Sequence, residues 1–275
     1  MADIKKWRHY ADGGYGQVHF VSAKPADARA IKAPPLICFH PSPTSGDIYR
    51  DLQLDLARDR IVHCADTPGF GGSDGPKTKP TLADYGAALA PAIASLGYGP
   101  QNQTDIFGFH TGSLVAVETA LHLPPGSVRR LVLSGVPHYT PEERAKQRAG
   151  VTDSYPILTD PEYVGAAYKR LVLEGKDAGE LEQRYYRFMN RLRAGSQGAW
   201  GANAVFEMDT AAALPRLAMP VLLIAFNEMM TQPTRDAAKI IPNAKLVEML
   251  DLPMFGFITA PNQVAAEIRK FLDVA

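Results

Sequence analysis

The residues best placed to do chemistry in this chain are histidines at the ends of apolar runs, and His110 leads them. It stands in Asp105-Ile106-Phe107-Gly108-Phe109-His110-Thr111-Gly112-Ser113. That stretch reads as a short apolar strand, a tight turn framed by two glycines, and the start of a helix, the pattern of a nucleophile elbow. The glycines serve a close approach of strand and helix in which a β-carbon would clash. A serine, cysteine or aspartate is expected in the middle of such a turn, and an imidazole stands there instead. Lifted above a sheet, an imidazole can act as a nucleophile, as a general base toward water or a carbon acid, or as a hydrogen-bond anchor.

Two more histidines are predicted to reach the same edge. His40 ends the apolar run Leu36-Ile37-Cys38-Phe39, and His138 lies just past Arg130-Leu131-Val132-Leu133-Ser134. Open α/β sheets place ligands at the carboxyl ends of their strands. His138, if it turns inward, would pair with His110, one as base and one as electrophile. A three-histidine metal site lacks a carboxylate at matching spacing, so no metal is expected. Phe109, beside His110, joins His40 as a candidate substrate contact.

The elements that must position these groups alternate. An antiparallel hairpin is predicted over residues 7–23. Strands are expected at 36–39, 60–65, 105–107, 130–134, 219–225 and 244–249, with helices at 47–58, 81–96, 111–121, 233–240 and 264–274 between and after them. Wholly apolar short runs suit buried parallel strands. The alternation predicts an α/β fold with a doubly wound, mostly parallel sheet flanked by helices. It breaks over 139–213, which is helical, charged and aromatic and carries Tyr185-Tyr186-Arg187-Phe188. The expected organisation is therefore a core of 1–138 and 214–275 with a helical lid, 139–213, over the sheet edge. Tyr185 and Tyr186 are candidate pocket residues of that lid, and Arg187 is a candidate for an anionic substrate group. Asp66, heading Asp66-Thr67-Pro68-Gly69-Phe70-Gly71-Gly72-Ser73, is expected to bond its own loop.

The bulk composition narrows the function. The 275 residues contain 29 Lys+Arg and 29 Asp+Glu, a net charge of zero, so there is no basic field for nucleic acid or anionic lipid. The two cysteines, Cys38 and Cys64, fall in predicted buried strands and supply neither a disulfide framework nor a zinc site. The polar, charged stretch Met1 to Tyr10 has no apolar leader core, and no run is long enough to span a membrane. The expectation is a cytoplasmic protein with a small-molecule substrate, no cofactor, and a homodimer left open.

Four of these stretches, in this order, resemble the α/β-hydrolase superfamily: Phe39-His40-Pro41-Ser42-Pro43, the Asp66–Ser73 loop, the turn at His110, and Met219-Pro220-Val221-Leu222-Leu223-Ile224 followed by Ile241-Pro242-Asn243-Ala244 and a terminal helix. The resemblance spans nearly the whole chain. It implies an oxyanion hole built from the Thr111 amide and an amide of the loop after His40. Ser42 is the candidate there, because Pro41 has no N–H to give. It implies that His40 supports that loop. Glu228 lies nearest the family's acid position, and Met254 stands where the family's base histidine would be. No histidine follows residue 138, so the family's Ser-His-acid triad in its usual order is absent from this sequence. The expected function is hydrolysis of a small or medium ester- or carbonyl-containing, partly aromatic substrate, with His110 as base or nucleophile and His138 and Glu228 as further candidate catalytic residues. Ligand binding without turnover, and lyase or cofactor-free dioxygenase chemistry on the same fold, stay open as alternatives.

Overall fold

The computed structural model describes residues 3–175 and 179–274. Its centre is an eight-stranded sheet ordered β1-β2-β4-β3-β5-β6-β7-β8. The strands are β1 (Ile4–Gly13), β2 (Gly16–Pro25), β3 (Leu36–Phe39), β4 (Val62–Ala65), β5 (Thr104–Phe109), β6 (Val128–Ser134), β7 (Val221–Asn227) and β8 (Ala244–Pro253). The β1–β2 hairpin and the β2–β4 pair are antiparallel, and every pair from β4 to β8 is parallel.

The parallel strands are apolar throughout because both faces are covered. Side chains alternate between the faces along each strand. Ile37, Phe39, Ile106, Leu131, Leu133, Val221 and Leu223 point to one core, built with α2 (Leu82–Ser95) and α3 (Thr111–His122). Leu36, Cys38, Phe107, Val132, Leu222 and Ile224 point to the other, built with α1 (Arg50–Leu56) and the closing helix. Cys38 and Cys64 sit opposite one another in the β3–β4 register, both buried and unbridged.

Helix α2 begins where expected: the Thr81 hydroxyl accepts from the Asp84 amide while the Asp84 carboxylate accepts from Thr81 N–H, a capping box. Between β6 and β7 come α4 (Pro141–Ala149), α5 (Pro161–Tyr168), α6 (Leu181–Ala194), α7 (Trp200–Val205) and α8 (Thr210–Ala213), with no strand among the described residues of this stretch. After β7 come α9 (Thr231–Ile240), α10 (Gly256–Thr259) and α11 (Pro261–Leu272). Several boundaries differ from expectation: the hairpin spans 4–25 and β7 and β8 run on to Asn227 and Pro253. The segment after His40 opens as a 3-10 turn, Gly46–Tyr49, before α1, and Pro261 at its first turn starts α11 ahead of the apolar run. Among the described residues no helix is long and apolar enough to cross a membrane.

One buried carboxylate ties the loops at the sheet edge. Asp66 accepts from the Gly46 amide at 2.7 Å, the Gly72 amide at 2.7 Å and His19 Nδ1 at 2.8 Å. It therefore braces β2 and the segment before α1 as well as its own loop. Burial opposes its ionisation, but the His19 bond, the nearby His40 and the two amides overcome this and hold the carboxyl below the ordinary value of 3.8. A depressed folded pKa gives stability that is complete above the unfolded value and lost as pH falls through the folded one. Asp66→Asn is expected to cost about 2 kcal/mol at pH 7 and to flatten the loss of stability below about pH 4. Urea titrations of both proteins from pH 7 to pH 3 check this; parallel curves would remove Asp66 from the acid limb.

Candidate active site

His110 occupies the turn between β5 and α3 with φ 51° and ψ −122°, the one non-glycine residue of positive φ among those described. A backbone this strained persists only where the surroundings fix it. Here the His110 amide donates to Ser134 O at 3.0 Å, and the Ser113 amide and hydroxyl both donate to His110 O. Helix α3 lies so close to β3 that a β-carbon on Gly112 would run into the Phe39 carbonyl.

The imidazole has one well-defined partner. His110 Nε2 lies 2.9 Å from both Oε1 and Oε2 of Glu228, which follows β7 directly. The Glu228 side chain is 2% exposed and that of His110 19% exposed. The carboxylate is itself held, since Oε2 accepts from the Met230 amide at 3.3 Å and the Glu228 amide donates to the Thr231 hydroxyl at 3.1 Å. Phe109 is fully buried and stacks on the ring, centroids 4.0 Å apart and planes 24° apart. It backs the imidazole, packed with Phe226, Phe255 and Phe257. Gly135, at the end of β6, completes the mount. A β-carbon there would fall against His110 Cδ2 and Nε2 and the Glu228 carboxylate, and its φ is +59°. An ionised carboxylate only accepts hydrogen bonds, so Nε2 carries the hydrogen of this contact, and in the neutral imidazole the lone pair is then on Nδ1.

In front of His110 is a cavity of about 180 Å³. Pro41, Ser42, Pro43 and Thr44 line it from the loop after β3, Met254 and Phe255 from the end of β8, and Leu171, Arg184, Arg187 and Arg191 from the helical segment. The family model described as alpha/beta hydrolase fold matches residues 34–261. The chain belongs to this family. The match leaves the β1–β2 hairpin and most of α11 outside it. Among solved structures, the chain is similar to a hydrolase from Pseudomonas aeruginosa PA01 (TM-score 0.74, 20% identity, covering 97% of this chain and 98% of that one). It is also similar to a malate-bound thermophilic esterase from Thermogutta terrifontis (0.74, 17%, 97% and 98%) and to the enol-lactonase from Burkholderia xenovorans LB400 (0.75, 18%, 97% and 100%). At such identities the likeness is one of fold. Comparison of the sequence with curated proteins finds no match.

The other expected site residues of this hydrolase-fold chain divide. Ser42 and Met254 line the cavity. The Ser42 amide makes no backbone hydrogen bond among the described residues. Thr111 is buried beside His110, and as the first residue of α3 its amide has no acceptor within the helix. His40 is buried below the cavity and fully engaged: Nδ1 donates to Pro41 O at 3.0 Å and Nε2 accepts from the Thr67 amide at 3.0 Å. It holds the loop that carries Ser42. His138 is not brought to His110. Its Nδ1 lies 2.8 Å from the Thr210 hydroxyl, at the foot of α8, and burial lowers its pKa. The backbone turns away there, the Val136 amide being tied to the Thr234 hydroxyl on α9. Tyr185 and Tyr186 are 43% and 49% exposed and neither lines this cavity; Tyr186 lines a neighbouring cleft instead, its ring under the Arg50 guanidinium. Among the described residues no group of three or more His, Cys, Asp or Glu side chains is placed to hold a metal.

Arg184 and Arg191 were not among the expected site residues. Their spacing from Arg187, three before and four after, was the available signal, since such positions share a helix face. Arg187 lies 3.8 Å over the Phe255 ring, and burial pushes its guanidinium down to about 10.

Gly135→Ala is expected to part the imidazole from its carboxylate and to destabilise the fold by about 1–2 kcal/mol through its positive φ. The control is Gly99→Ala, where nothing lies within 4 Å of the added carbon. Imidazole ¹⁵N spectra should show the His110 signals altered in the first variant and unchanged in the second. Unaltered signals in Gly135→Ala would mean the mount does not depend on that glycine.

Proposed function

We propose that this chain is a hydrolase of a small, ester- or carbonyl-containing organic substrate in which His110 stands at the nucleophile-elbow position and works as a general base. The observation that carries the reading is the His110–Glu228 pair at the edge of a partly covered cavity. The esterase and enol-lactonase among the structural neighbours support ester-bond hydrolysis as the reaction class.

The chemistry needs few groups. With Nε2–H committed to Glu228, Nδ1 takes a proton from a water molecule as its oxygen attacks the substrate carbonyl carbon. The imidazolium formed lies against a buried carboxylate that offsets its charge. The carbonyl oxygen gains negative charge and accepts from the Thr111 and Ser42 amides, preorganised donors at a helix start and a rigid loop. Collapse breaks the carbon–oxygen bond of the ester, and the leaving alkoxide takes the proton back from His110, giving one acid and one alcohol. Glu228 thus has the orienting role of a triad acid, and the missing base histidine is replaced by the elbow residue itself. Direct attack by water suits this site better than an acyl-histidine, because no second base stands by to release one. Residues 139–213 act as the lid, limiting water around the reacting carbonyl.

With p-nitrophenyl acetate as substrate, His110→Ala is expected to lower kcat/KM by about a hundredfold or more. Glu228→Gln should lower kcat by at least about tenfold, with circular dichroism unchanged, since the forming imidazolium loses its counter-charge. Turnover surviving His110→Ala would remove the imidazole from the mechanism. A wild-type chain that binds the ester and never turns it over would leave a ligand-binding protein.

A further inference from the structure

The wall of the cavity opposite His110 is a row of cations. Arg184, Arg187 and Arg191 stand at i, i+3 and i+7 of α6 and all three line the space, while no Asp or Glu among the described residues does so. Glu228 touches His110 from behind and is not part of the lining. The arginines are held in place. Arg187 lies over Phe255. Arg191 lies 4.0 Å over the Tyr155 ring and donates through Nη2 to the Tyr163 hydroxyl at 2.7 Å. Arg184 reaches the Leu173 carbonyl through Nη1 at 3.4 Å. The Nε atoms of Arg184 and Arg191 are buried with no hydrogen-bond partner among the described residues, and neither side chain has a carboxylate partner there. Arg184 and Arg191 bring two positive charges to one partly desolvated space, and an anion entering between them relieves their repulsion. Buried guanidinium donors without acceptors are also costly to leave unmade.

We propose that the site takes a small organic acid anion, its carboxylate gripped by Arg184 and Arg191 beside Arg187 and its electrophilic carbonyl presented to His110. The planar fork of a guanidinium matches the two oxygens of a carboxylate, which gives orientation as well as attraction. A volume near 180 Å³ restricts the substrate to a short chain. The carboxylate anchored on α6 and the carbonyl at the sheet edge fix which end of the molecule reacts. This inference rests on the hydrolase reading for its reaction but not for its anion site, and the two are separable by experiment.

Two matched esters decide it: mono-p-nitrophenyl glutarate, with a free carboxylate on the acyl chain, and its methyl ester, with that carboxylate masked. Hydrolysis of the first consumes one water and gives glutarate and p-nitrophenol. The wild-type chain is expected to prefer the charged ester by about tenfold or more in kcat/KM. That preference should shrink in Arg184→Gln and in Arg191→Lys, and with rising ionic strength. Calorimetry with glutarate, dimethyl glutarate and inorganic phosphate runs beside it. Glutarate binding that weakens in Arg184→Gln, with no binding of the diester, supports the anion site even if neither ester turns over, and that result would count against the hydrolase reading alone. Turnover of both esters at equal kcat/KM overturns the anion site and leaves the role of His110 standing. Phosphate binding without glutarate binding overturns the carboxylate assignment. If the wild-type chain neither binds glutarate nor prefers the charged ester, the anion site is wrong, whatever the variants do.

Discussion

The contact between His110 and Glu228 is the constraint around which the rest of the site is arranged. The two residues are 118 positions apart in sequence and leave the carboxyl ends of β5 and β7, which are not neighbours in the sheet. β6 runs between them. A pair that spans the end of an intervening strand can form only if that strand presents no side chain there, and Gly135 supplies the gap. Parallel register does the rest. Phe109 pairs with Ser134 and Ser134 with Ile224, so β5 and β6 end level while β7 runs three residues farther, to Asn227, before Glu228. The Ser134 hydroxyl donates to Ile224 O at 2.9 Å and its carbonyl accepts the His110 amide, so one residue of β6 fixes both neighbours. The buried carboxylate is tolerable because an imidazole N–H and a backbone amide satisfy it.

This arrangement relocates a familiar division of labour. Where an alcohol at the corner needs a separate histidine to take its proton, the imidazole proposed as base at this corner would combine position and basicity, and only the orienting acid would come from elsewhere. The strain at φ 51° is the structural cost, and the close approach of α3 to β3 is what keeps it from relaxing. Phe109 behind the ring adds a stacked face that stops the imidazole from turning. Nε2 is therefore fixed toward Glu228 by packing as well as by the hydrogen bond.

Much of this was legible in the sequence, for identifiable reasons. Apolar runs of four to seven residues between helical stretches revealed the parallel strands, because a strand buried on both faces has nowhere to place a polar side chain. Two glycines flanking a histidine after such a run revealed the corner. Glu228 was visible as the carboxylate following β7, but its partner was not, since pairing across β6 depends on where three strands end. His138 shows the converse. It also follows a strand, yet the chain leaves β6 along a path set by the Val136–Thr234 bond, and its imidazole goes to Thr210. Phe109 and His40 lie next to the site in sequence and beneath it in space, where one backs the ring and the other braces the loop.

Helix α6 marks where reading by hydrophobicity points the wrong way, and the reason bears on function. Its period gives two faces but not which of them turns inward. Hydrophobicity alone would bury Tyr185, Tyr186 and Met189 and expose the arginines. The structure does the reverse: those three side chains are exposed, while Arg184, Arg187 and Arg191 line the cavity and Phe188 alone of the aromatics packs inward. Turning guanidinium groups toward a partly covered space sacrifices hydration that the outer face would have kept. Rings of Tyr155 and Phe255 laid against two of the guanidinium groups reduce that loss and orient the N–H forks without neutralising their charge. Departures of this kind from the expected burial pattern concentrate where a chain trades stability for a site. On the proposed reading the inverted helix and the strained histidine form one functional unit, one wall carrying positive charge and the other the base.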